Sequence, residues 1–416
     1  MPDLHSAEII AVGSELLTPH RVDTNSLFLT GRLNELGIVV HAKTVVGDDR
    51  ADLATAVRGA LSRADLVIAT GGLGPTDDDL TRDVVAQVLG RTLAEDPQIV
   101  EGMVARFARR GVAMPAVNRK QAQVPQGAVV LPNSRGTAPG LLLETDGRFI
   151  VLLPGPPREM QPMFDEQVAP RLAAMTAGRQ VRRRVIKITG RSESQVEEVA
   201  YPIYSRLTSP VGPVQTTILA SPGQIELHLS ASGSDVVAID RTLADGVAQL
   251  SEALGSIVFS VDGRSLETVV GDLLHARSLH LAVAESCTGG LLLGRLTEVP
   301  GSSDWVVGGV VAYSNSVKVQ TLGVGHDLLE AHGAVSEPVA RAMAEGVRLL
   351  GADVGASITG IAGPGGGSPE KPVGTVVVAV AYRETVARTF LFPGDRETVR
   401  RHSTSAALDM IRRSLL

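Results

Sequence analysis

Four short apolar runs in this chain each end in a glycine-bearing turn. They lie at residues 7–12 (AEIIAV, then Gly13), 65–70 (DLVIAT, then GGLG), 279–284 (ending before ESCTGG) and 354–358 (ending before TGIAGPGGG). Runs this short and this apolar read as strands buried on both faces, which parallel sheets require. Between them lie helical patterns. Leu27, Leu33 and Leu36 are spaced as a helix face and Gly37 stops it, residues 52–61 repeat with a helical period, and a helix is expected over 79–89. Repeated β-α-β units imply a parallel sheet covered by helices on both faces.

Further along, PGPP at 154–157 breaks the chain, and a helix over 158–172 closes the first domain. Residues from about 180 to 255 read as strands (185–189, 225–230) and helices (193–201, 235–254), a small α+β module. The last segment carries an amphipathic helix at 266–275, strands at 279–284, 306–313 and 354–358, and a closing helix from Arg396 to Leu415. Ser336 is placed as the N-cap of a helix whose face is Val339, Met343, Val347 and Leu350. The expected organisation is three domains, 1–172, 173–255 and 256–416.

Composition narrows the partners. With 39 basic and 45 acidic residues the formal net charge is −6, so direct nucleic-acid binding is not expected. A single cysteine, Cys287, rules out an internal disulfide and a cysteine-rich zinc site. No apolar run has the length to span a bilayer, and the first residues lack a signal-peptide pattern. No membrane association and a cytoplasmic location are expected.

Two constellations carry chemistry. The first is GGLGPTDDDLT at 71–81. Glycines admit a ligand close to the backbone, and the following helix start favours anions. Three aspartates there repel phosphate unless a cation intervenes, so the combination suggests a diphosphate bound through magnesium or a similar hard ion. A single aspartate at a helix start reads as a cap; three after a glycine turn shift the reading towards function. Ser14 and Glu15 fall at the same sheet edge. Asn118, Lys120 and the GTAPG loop (136–140) offer further polar contacts, each equally readable as ordinary loop.

The second is AESCTGG at 284–290, with PGSSDW, AYSNSVK and TGIAGPGGG downstream. Ser286, Thr288 and Gly289 with its neighbour form a phosphate cradle whose only ligand-side acid is Glu285. Arg396 and Arg400 share one helix face. No His/Asp partner surrounds a nucleophile. A serine activated by a neutral lysine remains, with Tyr313 relaying or orienting the proton and backbone amides holding an oxyanion. On spacing alone, Ser302 and Ser303 read equally as caps, Tyr313 as a core ring and Lys318 as a surface lysine. Cys287 stands as a rival nucleophile or a small buried filler.

The ordered motifs GSELL, DTNS, GGLGPTDDDLT, NRKQA, GTAPG and LPGPPREM, over residues 6–170, resemble the molybdopterin-binding-like domain that opens the competence/damage-inducible protein A family. AESCTGG, PGSSDW, AYSNSVK, GAVSEPVA, SITGIAGPGGG, EKPVGTV and FPGDRETVR, over 262–414, resemble its nicotinamide mononucleotide deamidase domain. The resemblance implies an α/β chain: a doubly wound N-terminal molybdopterin-binding-like domain, a small α+β KH-type-like middle domain, and a C-terminal α/β deamidase domain. The middle segment has no GXXG loop, so no RNA binding is expected of it.

For the C-terminal domain the resemblance implies hydrolysis of nicotinamide mononucleotide without a cofactor. Ser303 matches the nucleophile and Tyr313 and Lys318 its activating partners. Ser286, Thr288, Gly289, Thr359, Gly363, Arg396 and Arg400 match the substrate pocket. For the N-terminal domain it implies metal-dependent cleavage of ADP-ribose, or its binding as a sensor. Asp78 and Asp79 are the paired acids for a divalent metal such as magnesium, and Asp77 occupies a variable position. Ser14, Glu15, Asn25, Gly72, Gly74, Asn118, Lys120 and Gly155 line the nucleotide site. The run Thr18-Pro19-His20-Arg21 departs from the more apolar, glycine-bearing stretch usual there. A homodimer is expected of a long chain of this kind. The family's historical name suggests a rival, a non-catalytic partner in DNA uptake or repair.

Overall fold

The computed structural model describes residues 4–176, 178–209 and 212–416. The chain divides into two compact units, 1–182 with 231–240, and 183–230 with 241–416.

The first unit is built on a six-stranded sheet. Its strands run in the order Val39–Val46, Ser6–Val12, Leu66–Thr70, Arg148–Leu153, Gly140–Thr145, Val129–Leu131. The first four are mutually parallel. The last two are antiparallel, so the sheet is mixed where the sequence suggested only parallel strands. Residues 141–143 and 149–152 are apolar runs that periodicity cannot orient; the tight turn at Asp146–Gly147, both at positive φ, sets the antiparallel return.

Every residue of Ser6–Val12 is buried. Ile9 packs into a core with Leu29, Leu33 and Phe164 on one face, and its neighbour Ile10 into a core with Leu53, Val57 and Val85 on the other. Helices therefore cover both faces, the doubly wound arrangement. Glu8 is buried within the strand and takes two hydrogen bonds from Arg63, both at 2.8 Å. The helix expected over 158–172 bends through a π turn at Phe164–Val168. Pro162 and Pro170 flank it, and each lacks the N–H that a straight helix needs.

The middle residues form a four-stranded sheet in the order Gln215–Ser221, Gln224–Gly233, Gln180–Thr189, Val258–Ser260. Its fourth strand comes from beyond residue 255. Gln224–Gly233 alternates buried and half-buried residues along its length, as a sheet with one covered face demands.

In the second unit a five-stranded sheet runs Val306–Val311, Leu281–Glu285, Val354–Gly360, Thr375–Ala381, Thr385–Leu391. The first three are parallel and the last two antiparallel. Sequence periodicity missed the last two. Thr375–Ala381 is buried throughout and follows a glycine loop instead of a helix. The closing helix Arg396–Leu415 packs its Val399, Leu408 and Ile411 into the core beneath. Ser336 sits at the N-cap position of Glu337–Arg348 yet makes no side-chain cap; its hydroxyl donates backwards to the Gly333 carbonyl. Among the described residues no helix is long and apolar enough to cross a membrane.

Gly71 shows what parallel closure demands. Its φ is +105°, and a Cβ there would lie 2.1 Å from the Val12 carbonyl oxygen. Gly71→Ala is expected to destabilise the fold by about 2–4 kcal/mol through backbone strain and overlap. Urea unfolding followed by circular dichroism measures this, and an unchanged midpoint would contradict the close approach.

Candidate functional site

In the first unit the parallel strands Ser6–Val12, Leu66–Thr70 and Arg148–Leu153 end at one edge. The turns that follow them, starting at Gly13, Gly71 and Pro154, therefore meet there, beside the point where strand order reverses. They enclose a cleft of about 760 Å³ lined by Glu15, Asn25, Gly72, Gly74, Asp78, Asp79 and Gly155 among others.

The aspartates do not cap a helix. The helix expected from residue 79 starts at Thr81, and its N-cap, Leu80, offers no side chain. Asp79 instead braces its own loop: it accepts from the Gly74 N–H (2.8 Å), the Thr76 N–H (2.8 Å) and the Thr76 hydroxyl (2.5 Å). Asp78 is exposed, and polar groups beside it, the Thr76 side chain first and Lys120 more weakly, shift its carboxyl below the usual range, although the Thr76 hydroxyl proton itself is directed to Asp79. Asn25 donates to the Gly155 carbonyl at 2.6 Å and to the Thr70 hydroxyl at 3.2 Å, while its buried Oδ1 has no partner among the described residues.

Ser14, Asn118 and Lys120 act from behind the lining. Ser14 exchanges hydrogen bonds with Asp48. Asn118 donates to Gln121, which reaches the cleft. Lys120 donates to the Thr76 carbonyl at 2.5 Å. Sequence reasoning missed Arg82. It is fully buried and donates to the Leu73 and Lys120 carbonyls, at 3.0 and 2.9 Å, joining the two loops. Burial pushes its pKa down. A charged residue in a helix's first turn normally reads as solvated, so no signal marked it.

Six carboxylates line the cleft (Glu15, Asp23, Asp48, Asp78, Asp79 and Glu159) against one cation, Arg21. Among the described residues no three histidine, cysteine or acidic side chains converge to hold a metal by themselves. Asp79 is occupied with its loop. The donor set therefore suits a hard ion held by one or two carboxylates and completed by ligand oxygens and water, which is the habit of magnesium.

In the second unit, Ser286 follows strand Leu281–Glu285, Tyr313 follows Val306–Val311, and Gly363 follows Val354–Gly360, again at one edge of parallel strands. Lys318 rides on helix Asn315–Leu322, which Ser314 caps through the Val317 N–H. Only 1% of Lys318 is exposed. Its Nζ lies 3.2 Å from Ser286 Oγ and donates to the Ala312 carbonyl at 2.8 Å. Among the described residues no carboxylate pairs with it, and burial lowers its pKa.

Ser303 is elsewhere. It is exposed in the turn Ser302–Asp304, which precedes strand Val306–Val311. Ser286 follows the opposite end of the neighbouring strand, so the length of a six-residue strand, roughly 20 Å, separates the two edges. Within the chain, Lys318 is paired with Ser286 and not with Ser303, contrary to the expectation from motif matching.

Glu285, read from the sequence as an acid on the ligand side, is 1% exposed and accepts from the Gly290, Leu292 and Leu293 N–H groups at the start of helix Leu291–Thr297. Cys287 is buried, and burial raises its thiol to about 11, against a thiolate role.

Tyr313 is exposed, with its hydroxyl accepting from Arg396 at 2.9 Å. Arg396 also donates to the Gly363 carbonyl, and Arg400 to the Thr288 carbonyl at 2.6 Å. Among the described residues neither arginine forms an ion pair, so both charges are available to an anion. Thr359 spends its hydroxyl on the Ala334 carbonyl. Among the described residues the buried Thr288 Oγ1 has no partner. Gly289, at φ +60°, turns the chain under Arg400.

Removing Glu285 strands three backbone donors, two of them partly exposed. Glu285→Ala is expected to cost about 2–3 kcal/mol, read as a lowered urea midpoint. No change would mean that water replaces the carboxylate freely.

The family description "CinA C-terminal domain" matches residues 263–415, and "Probable molybdopterin binding domain" matches residues 8–174. A CinA-like protein of Acidobacterium capsulatum is 47% identical over 416 residues, covering 99% of this chain and 100% of its own. One from Koribacter versatilis is 46% identical, covering 99% of this chain and 100% of its own. A solved competence/damage inducible protein of Agrobacterium tumefaciens is 40% identical, covering 36% of this chain and 93% of its own, with a TM-score of 0.35.

Proposed function

The chain belongs to the CinA family, and on that footing we propose that its C-terminal domain hydrolyses the carboxamide of nicotinamide mononucleotide to nicotinic acid mononucleotide and ammonia. The observation that carries this reading is the buried contact of Lys318 with Ser286, beside two arginines whose partners are neutral.

A buried ammonium without an anion is costly, so the free amine is favoured. A neutral Lys318 keeps one N–H on the Ala312 carbonyl and turns its lone pair to the Ser286 hydroxyl. Ser286 Oγ attacks the carboxamide carbon as its proton passes to Nζ. The C–N bond then breaks as Nζ returns that proton to the leaving amino group, releasing ammonia and leaving an ester on Ser286. Water attacks the ester, gives its proton to Nζ, and Nζ reprotonates Ser286 as the acid departs. Arg396 and Arg400 offer the phosphate two guanidinium groups. Thr288 Oγ1 is a donor left over for the ligand.

We infer for the N-terminal domain that its acidic cleft takes the diphosphate of ADP-ribose together with a divalent ion, with Asp78 and Glu15 the carboxylates nearest to free. The ion would neutralise phosphate charge that six carboxylates otherwise repel.

Three alanine variants divide the alternatives. Ammonia release from nicotinamide mononucleotide, without added metal, is expected to fall by on the order of 10³-fold or more in Ser286→Ala and to persist in Cys287→Ala and Ser303→Ala. Loss in Ser303→Ala with retention in Ser286→Ala would return the nucleophile to Ser303. No release by the unaltered protein sinks the amidase reading.

A second check follows from the lysine. Only its free amine accepts the serine proton, so kcat/KM is expected to rise with pH through the lowered pKa of Lys318 and to fall on the acid side of it. An acid limb at the ordinary lysine value, about 10.4, would contradict a neutral Lys318.

A further inference from the structure

The second unit holds a cavity of about 790 Å³, and no residue of the Ser286 site lines it. Its walls come from the turn at 220–225, the start of helix Glu193–Tyr204, strand Thr385–Leu391 and helix Arg396–Leu415. They are locked together. The Thr189 hydroxyl donates to the Gly223 carbonyl at 2.8 Å, and the Ser405 hydroxyl to the Pro222 carbonyl at 3.3 Å. Gly223, at φ +79°, packs so closely that a Cβ would lie 2.6 Å from that of Ser405. The cavity is therefore a preformed feature of the unit.

Charge and rings divide its lining. Three arginines and two acids reach it, Arg191, Arg388 and Arg413 against Glu193 and Asp409. Asp409 is occupied, accepting from Arg412 and from Arg413, both at 2.7 Å. Among the described residues Arg191 and Arg388 have neither an ion pair nor a side-chain hydrogen bond, and one free carboxylate, Glu193, stands against the two. An exposed arginine is ordinarily just solvated, but these two line one concavity of a chain whose net charge is −6. Opposite in character is a stack of rings. Phe390 and Phe392 lie 5.3 Å apart at 11°, and Phe392 and His402 lie 5.3 Å apart at 14°. Burial lowers the pKa of His402, so the stack is uncharged at neutral pH. Most other polar groups there are engaged. Ser192 and Gln195 exchange hydrogen bonds in a capping box, and the Ser221 hydroxyl donates to the Gln224 carbonyl.

We propose that this cavity is a second nucleotide site of the unit, separate from the Ser286 site, which takes a nucleoside monophosphate with its base against the ring stack and its phosphate on Arg191 and Arg388. Guanidinium groups suit phosphate, because their N–H donors pair with its oxygens. Every base has a flat π-face, so packing against rings is tolerant of which base is present. With most lining hydroxyls and amides already engaged, the site selects the class of ligand and not one base. A bare phosphate leaves the rings unused. An uncharged nucleoside leaves the arginines unused.

Calorimetric titration of the full chain with AMP, adenosine and inorganic phosphate tests this. EDTA is present throughout, which withholds the divalent ion that a phosphate needs in the acidic cleft of the first unit. The unaltered protein is expected to bind AMP at least tenfold more tightly than either adenosine or phosphate. The double variant Arg191→Gln with Arg388→Gln is expected to weaken AMP at least tenfold. Both positions are exposed, so its melting temperature should not change. Arg400→Gln, which alters the Ser286 site, should leave this AMP binding in place. Retention of AMP by the double variant with its loss in Arg400→Gln would put the nucleotide at the Ser286 site and overturn the proposal. Phosphate bound as tightly as AMP would reduce the cavity to an anion site without a role for the rings, and overturns it too. So does an unaltered protein that binds no AMP.

Discussion

Parallel strand pairing is the constraint from which both sites follow. Strands held parallel must all end at the same edge, so whatever the chain places after each strand is gathered there. In the first unit this collects the turns at Gly13, Gly71 and Pro154. In the second it collects Ser286, Tyr313 and Gly363. The turns must leave the sheet within a residue or two, which is why Gly71 packs against the Val12 carbonyl where no side chain fits. The antiparallel strand Thr375–Ala381 turns the chain back, so Thr385–Leu391 ends at the same edge as Val354–Gly360 and brings Arg396 to it. Gly140–Thr145 starts beside the first cleft, which Thr137 and Ala138 line.

Much of the charge near the two sites is structural. Asp79 and Glu285 both look like ligand-facing acids in the sequence, and both accept backbone N–H groups from their own loops. Arg82 performs the inverse task, a buried cation donating to carbonyls of two loops. Such groups hold the turn backbone in place, since each buried N–H or carbonyl needs a partner. What remains for ligands is of opposite sign in the two units. The first presents carboxylates, so an anion must bring a cation with it. The second presents Arg396 and Arg400 with neutral partners, so an anion can be met directly.

Lys318 illustrates how a lysine is buried beside a serine without a carboxylate partner. The helix that carries it is short and capped by Ser314, and the side chain runs inward beneath Ala312. Desolvation is the larger influence on the amine and lowers its pKa, against a smaller opposing effect of Cys287. Cys287, next in sequence to Ser286, is shifted the other way by burial, because burial favours the neutral form of either group: the thiolate is disfavoured at Cys287 and the free amine favoured at Lys318.

Element order was legible in the sequence wherever a short apolar run met a glycine turn, and the helix Arg396–Leu415 was legible from its pattern. So were the residues gathered at each edge, because parallel topology alone places Glu15 near Gly72 and Ser286 near Gly363. The sequence by itself thus determined the doubly wound core, the two constellations and the family. Tertiary structure decided what each polar residue faces. Asp79 and Glu285 turned inward, Arg82 was buried, and Lys318 met Ser286 while Ser303 stayed at the far end of its strand. The physical reason is that a motif records residues in order, whereas a hydrogen bond depends on which end of a strand and which side of a turn each residue occupies, and only the packed sheet sets those.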